Sequence, residues 1–148
     1  SLKAQDIASK QGYTQVLWLD GVERKYIEEV GTMNVFFKIG GEVVTPALQG
    51  SILGGITRMS CIELLRSWGY TVNERPLELA EVVKAAKDAF GTGTAAVVSP
   101  IGELKVDDKH IVINNNQIGQ TAQRLYDTLT GIQNCSVSDP FGWVVNVK

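Results

Sequence analysis

The stretch Glu28–Phe37, EEVGTMNVFF, carries two carboxylates into a small-residue turn and then into a β-rich apolar run. Surface acids ordinarily stand among lysines and polar residues. Here Glu29 is followed by Val30, Gly31, Thr32 and Met33, which read as a wall rather than a solvated face. The apolar run continues to Ile39 as MNVFFKI, the Gly40-Gly41 pair follows, and EVVTP (42–46) opens a second β-run. Two such runs joined by glycines that accept positive φ predict an antiparallel hairpin. The acid at position 29 therefore stands just ahead of the hairpin that organises the chain.

Outward from this hairpin, TQVLWLD (14–20) reads as a short strand ended by the Asp20-Gly21 turn signal. The opening SLKAQDIASKQG has a helical pattern closed by Gly12. From Thr57 the period changes, because Met59, Ile62, Leu65 and Trp68 recur at helical spacing before Gly69. YTVNERP (70–76) predicts a strand stopped by Pro76, and LELAEVVKAAKDAF (77–90) a helix with Glu78 and Lys84 placed to pair. AAVVSPI (95–101), HIVIN (110–114) and WVVNV (143–147) predict strands, and TAQRLYDTLTGIQ (121–133) a helix. Hairpins first and alternating elements later favour an α+β fold with a mixed sheet over a doubly wound parallel one.

The chain has 148 residues, 44% of them hydrophobic, and a formal net charge of -2. One domain of that size buries roughly 70% of the surface of its unfolded chain. Fourteen basic against 16 acidic side chains, with no basic block, give no electrostatic footprint for nucleic acid. No apolar run approaches the roughly 20 residues that a membrane span needs. Two scattered cysteines, Cys61 and Cys135, supply neither a disulfide framework nor a zinc site, so a reduced, cytoplasmic protein is expected.

Two glycine-rich stretches are candidate anion sites. In SILGGITRMS (51–60), Gly54 and Gly55 permit close approach, and the amides of Ile56 and Thr57 would point outward at a helix start. The alternative is an ordinary turn with Thr57 as N-cap. The dipole alone contributes roughly 0.3–1 kcal/mol, less than tenfold in affinity, so a tightly held phosphate needs further donors. FGTGTAAVV (90–98) offers hydroxyls at Thr92 and Thr94. Its glycines mimic a dinucleotide fingerprint, but that motif needs a strand before and a helix after, and the expected order here is helix then strand. Arg58 is either a further anion contact or a surface residue. DDKH (107–110) reads as a polar turn rather than a metal site, and Cys61, Trp18 and Trp68 read as core.

EVGTMN (29–34), GGITR (54–58) and GTGTA (91–95), with QVLWLDG, TPALQGSILGGITR, FGTGTAAVVSP and GIQ in order, resemble the branched-chain amino acid aminotransferases, pyridoxal-phosphate enzymes of fold type IV. The resemblance implies the large domain of the D-amino acid aminotransferase-like fold: α+β, with a mixed, mostly antiparallel sheet or barrel and packed helices. It assigns pyridoxal 5'-phosphate as cofactor. Glu29 would face the pyridine nitrogen, Leu53 the ring face, and Gly55, Ile56, Thr57 and Thr94 the phosphate. Thr32, with Thr94 and Ala95, would line the site for amino acid and 2-oxo acid substrates. No metal is implied.

The same resemblance implies what lies elsewhere. The family's Schiff-base lysine would fall upstream of Ser1, and none of the nine lysines here stands in its context. Residues 1–148 are thus expected to be one cofactor-binding large domain. The catalytic lysine and the small N-terminal domain would be missing, the fragment inactive alone, and the full-length parent a homodimer or higher oligomer. The alternatives are a D-amino acid aminotransferase, an aminodeoxychorismate lyase, or a non-catalytic domain of the same fold.

Overall fold

The computed structural model describes residues 2–147. Helix α1 (Leu2–Lys10) precedes an antiparallel ribbon of β1 (Leu17–Leu19) and β2 (Ile27–Val30). Next come β3 (Asn34–Ile39) and β4 (Glu42–Thr45), the expected hairpin, with Gly40 at φ 60° in its turn. From β4 the chain passes through α2 (Ile56–Ser67) into β5 (Thr71–Glu74), which lies parallel to β4 as a helical crossover allows. Helix α3 (Leu79–Ala85) leads directly into β6 (Ala86–Gly93), which pairs antiparallel with both β3 and β7 (Val97–Pro100). A second ribbon, β8 (Glu103–Val106) with β9 (Lys109–Val112), a short 3-10 turn (Asn114–Asn116) and helix α4 (Gln120–Gln133) complete the elements.

The central sheet has the order β5-β4-β3-β6-β7, with one parallel pair and three antiparallel ones. It is the mixed, mostly antiparallel sheet that the family resemblance implies, open at β5 and β7. Both faces are covered. Strand alternation sends Phe36, Val43 and Phe90 into one core with Leu65 of α2 and Leu125 of α4. It sends Val35, Phe37, Val44 and Ala89 into a second core with Ile27 and Val30 of β2, Val82 of α3 and Leu104 of β8. Phe36 and Phe90, cross-strand partners, stack at 5.1 Å between ring centroids, a pairing that contributes about 0.5–1.5 kcal/mol beyond burial.

Three expectations need correction. The helix expected over 77–90 stops at Ala85, and Ala86 to Phe90 form the start of β6. Ala and Lys favour a helix only by tenths of a kcal/mol, whereas a strand here places Asp88, Ala89 and Phe90 inside the sheet, all three buried. The Glu78–Lys84 pair does not form; Glu78 joins Lys25 at 2.8 Å, and Glu81 joins Arg75. Residues 143–147 form no strand; Trp143 instead stacks on Phe141 at 4.4 Å.

Two carboxylates hold corners of this fold with opposite pH signatures. At the predicted Asp20-Gly21 turn, the amides of Tyr26, Lys25 and Glu23 donate to Asp20 and hold it well below the usual carboxylate range. Asp88 of β6 is buried at the start of α4. Desolvation pushes its carboxyl up, although the amides of Ala122 and Thr121 in the first turn of α4 donate to it. Gly119 at that N-cap position has no room for a Cβ beside the Asp88 carboxyl. A lowered native value stabilises the fold above the unfolded value near 3.8 and is lost as pH falls. A raised one stabilises below that value and is lost as pH rises through the native titration. Measured as chemical unfolding against pH, Asp20→Asn should therefore cost more stability at neutral than at acid pH. Asp88→Asn should cost more at acid than at neutral pH, and parallel profiles for the two variants would contradict the assignment.

Candidate functional site

The site grows from an irregularity in β2. Trp18 pairs with Glu29 but Leu19 pairs with Ile27, so Glu28 is an extra residue bulged out of the ladder. The bulge breaks the alternation of faces. Ile27 and Val30 both enter the core, while Glu28 and Glu29, both half-buried, turn toward the segment that leads into α2. There Glu28 Oε2 accepts from Ser51 Oγ at 2.7 Å, and Glu29 Oε1 accepts from the Leu53 amide at 3.2 Å.

Asn34 ties this arrangement together. It is the first residue of β3, 6% exposed, and its Nδ2 donates to the Leu53 carbonyl at 2.7 Å and lies 3.5 Å from Glu29 Oε1. Its Oδ1 presses on Gly55, where any Cβ would collide with it. Here lies the physical reason for a glycine ahead of α2. Gly55 is the N-cap of the helix and makes no side-chain capping bond, so the helix starts at Ile56 and Thr57 is its second residue, not its cap. The first amides of α2 are left without side-chain acceptors, as an anion site requires. Leu53 and Ile56 are largely exposed, at 75% and 72%.

The second glycine loop adjoins the first through the sheet. Asn34 pairs with Thr92 of β6, and Thr94, Ala95 and Ala96 form the tight turn into β7. A strand rather than a helix precedes this turn, and a strand follows it, so it carries no dinucleotide fingerprint. Gly91 and Gly93 have another purpose: a Cβ on either would lie within 3.0–3.2 Å of the Met33 side chain, which crosses β6 there. Val97 closes the turn with φ 56°, a left-handed conformation that is rare for a β-branched residue. Strain of this kind persists where the surroundings fix a loop.

Among the expected site residues, Glu29, Leu53 and Gly55 converge on Asn34, and Ile56 and Thr57 follow directly on Gly55. Thr32, Thr94 and Ala95 line a separate cleft of about 1110 Å³, bounded on its far side by α1 and by the start of β8. Arg58 belongs to neither group. It is buried, and its guanidinium donates to the Pro46 carbonyl and to Glu74 of β5, each at 3.0 Å, so it is neither the anion contact nor the surface residue that the sequence suggested. His110 donates to or accepts from Glu103 at 2.7 Å and Tyr13 at 3.1 Å across the β8–β9 ribbon, and no acidic, cysteine or histidine cluster able to hold a metal occurs among the described residues. Cys61 is core as expected, its thiol pushed up to about 12 by burial. In the sequence Asn34 stands out only as the last residue of EVGTMN. Its polar side chain at the start of an apolar strand was the available signal.

With these features in place, comparison with known proteins decides the family. The model of amino-transferase class IV matches residues 1–104. The chain belongs to the class IV aminotransferases. It is 59% identical, over 99% of its own length, to branched-chain-amino-acid aminotransferase 2 of Bacillus subtilis, of which it spans 42%. The fold superposes on the branched-chain amino acid aminotransferase from Escherichia coli with a TM-score of 0.81 at 30% identity, covering 96% of this chain and 46% of that one. It also superposes on an aminotransferase from Brucella abortus bound to the cofactor PLP, with a TM-score of 0.71 at 32% identity, covering 84% and 41%. The chain thus spans less than half the length of these class IV aminotransferases. A methyl at position 55 tests the packing around Asn34. Gly55→Ala should destabilise the protein by about 1–3 kcal/mol, the usual range for overpacking. Gly54→Ala should cost less, because its nearest neighbour is the half-exposed Leu48 side chain at 3.2 Å. Denaturant midpoints for the two variants measure the difference.

Proposed function

We propose that these residues are the cofactor-binding part of a pyridoxal-phosphate-dependent branched-chain aminotransferase. That enzyme would move an amino group between leucine, isoleucine or valine and 2-oxoglutarate. The observation that carries the reading is the meeting of a carboxylate, Glu29, and an uncapped helix N-terminus on one short segment, Leu53–Thr57. The donor set suits pyridoxal phosphate at both ends: a carboxylate for a protonated ring nitrogen, and free amides with the Thr57 and Thr94 hydroxyls for a phosphate. When bound, the cofactor supplies an electron sink for the carbanion left when a substrate loses its α-proton.

The roles of this chain's residues follow from their chemistry. Glu29 faces the ring nitrogen and, as a carboxylate, holds the proton there. Its half-buried position strengthens that pairing and makes the acid costly without a partner. Leu53 and Ile56, exposed and apolar, cover the ring and exclude water from its surroundings. Ile56 and Thr57 grip the phosphate through their amides, and Thr94 adds a hydroxyl from the second loop. Thr32, Thr94 and Ala95 orient the substrate carboxylate in the large cleft. The lysine that would form the Schiff base and carry the α-proton lies, on this reading, outside residues 1–148, as does the small domain, and the working protein is a dimer or larger.

The full-length protein provides the test, assayed with 2-oxoglutarate and either L-leucine or D-alanine. Turnover of L-leucine alone supports the reading, whereas preference for D-alanine would overturn it in favour of a D-amino acid enzyme of the same fold. Glu29→Gln should depress kcat strongly, while Glu28→Gln, whose side chain bonds only Ser51, should leave kcat near that of the parent. Thr57→Val should weaken cofactor binding by the worth of a charge-assisted hydrogen bond, roughly 1.5–3 kcal/mol, read by spectroscopic titration.

A further inference from the structure

We propose that Asn34 is a positioning residue that locks the Glu29 carboxylate and the Leu53–Thr57 turn into one rigid unit, which deepens and rests on the functional reading above. Three contacts close a small ring. The Leu53 amide donates to Glu29 Oε1 at 3.2 Å, Asn34 Nδ2 donates to the Leu53 carbonyl at 2.7 Å, and the same nitrogen lies 3.5 Å from Glu29 Oε1. The chemistry of the partners orients the Asn34 amide. A carbonyl and a carboxylate only accept, so the NH₂ group, with its two hydrogens, must face them and the oxygen must face Gly55. No other side chain of this size offers two donors on one atom and an acceptor on the opposite side.

What makes Asn34 an anchor is its own rigidity. It stands at the start of β3, a strand buried on both faces and hydrogen-bonded to neighbours on both sides, and it shares the face of Phe36. The turn that it holds has little else to fix it. Leu53 is 75% exposed, and the Gly55 amide reaches only back to the Leu53 carbonyl at 2.9 Å. Without the asparagine, the only side-chain bonds tying that turn to the strands would be Leu53–Glu29 and Ser51–Glu28. A rigid ligand with a cationic ring nitrogen and an anionic tail needs its two partners at a fixed separation. A misplacement of about 1 Å in such a site costs on the order of a hundredfold in rate.

The test uses the full-length protein and two variants. Asn34→Asp keeps the shape but replaces the donor by an acceptor facing two acceptors, and Asn34→Ser shortens the side chain. Hydrogen exchange of peptides covering 50–58 is followed in cofactor-free protein. Pyridoxal phosphate affinity and the nitrogen-15 shift of its labelled ring nitrogen are then measured in the loaded protein. The expected result has three parts. Exchange over 50–58 rises about tenfold or more while exchange of β3 and β6 stays parental. Affinity falls by a similar factor, and the ring-nitrogen signal shifts toward the unprotonated form. Parental exchange over 50–58 overturns the proposal, and so does faster exchange with parental affinity and ring-nitrogen signal. Faster exchange throughout β3 and β6 in both variants also overturns it, because Asn34 would then be a core residue only. If the parent protein binds no pyridoxal phosphate, the functional reading fails separately, and local exchange over 50–58 alone decides whether Asn34 locks the turn to Glu29.

Discussion

One unpaired residue in β2 sets the geometry of the whole site. A regular strand would have sent Glu28 and Glu29 to opposite faces, and one of the two would have met the core formed by Ile27, Val30 and Phe37. An ionised carboxylate there, without a partner, costs several kcal/mol. The bulge at Glu28 removes the conflict by letting two apolar residues three positions of sequence apart, Ile27 and Val30, face the same side. Both acids are then free to receive the segment that follows β4. The strand end is secured by the Trp18 indole, which donates to the Gly31 carbonyl at 2.8 Å. Gly31 takes φ 58° with no room for a Cβ against Gln15.

The sheet behind the bulge determines how rigidly those acids can be met. Because β3 has a core on each face, its first residue cannot rock without disturbing both. Because β6 pairs with β3 in register from Asn34–Thr92 through Phe36–Phe90, the end of β6 is fixed to the same frame. The turn at Thr94–Ala96 and the turn at Leu53–Gly55 are far apart in sequence. They are nonetheless referred to one strand end.

The parts of this arrangement that periodicity governs were legible in the sequence. The β3–β4 hairpin, α2 and α4 follow from alternation, helical spacing and glycine stops, and their ranges agree with those expectations. The oddity of Glu29 was also visible, since an acid beside small apolar residues demands a reason. What could not be read depends on distant partners. The Ala- and Lys-rich run 84–90 looks helical until β3 is available to pair with it. Arg58 looks like a surface or ligand cation until Glu74, 16 residues on, and the Pro46 carbonyl neutralise it inside the protein. Asn34 has no meaning until Leu53, 19 residues on, folds back against it.

The energetics of the anion site argue for division of labour between the two loops. An uncapped helix start such as that of α2 contributes roughly 0.3–1 kcal/mol through its dipole, too little to hold a phosphate alone. Charge-assisted hydrogen bonds contribute more, about 1.5–3 kcal/mol each, but α2 supplies only one hydroxyl in its first turn, that of Thr57. On the proposed reading the further hydroxyl comes from Thr94, on a turn held by the strained backbone of Val97 and by Met33 lying across Gly91 and Gly93. Met33 and Asn34 are adjacent residues with opposite duties: one pins the second loop, the other pins the first. On that reading the five residues after Glu29 work less as a wall than as the joint that ties two separate loops to one strand end.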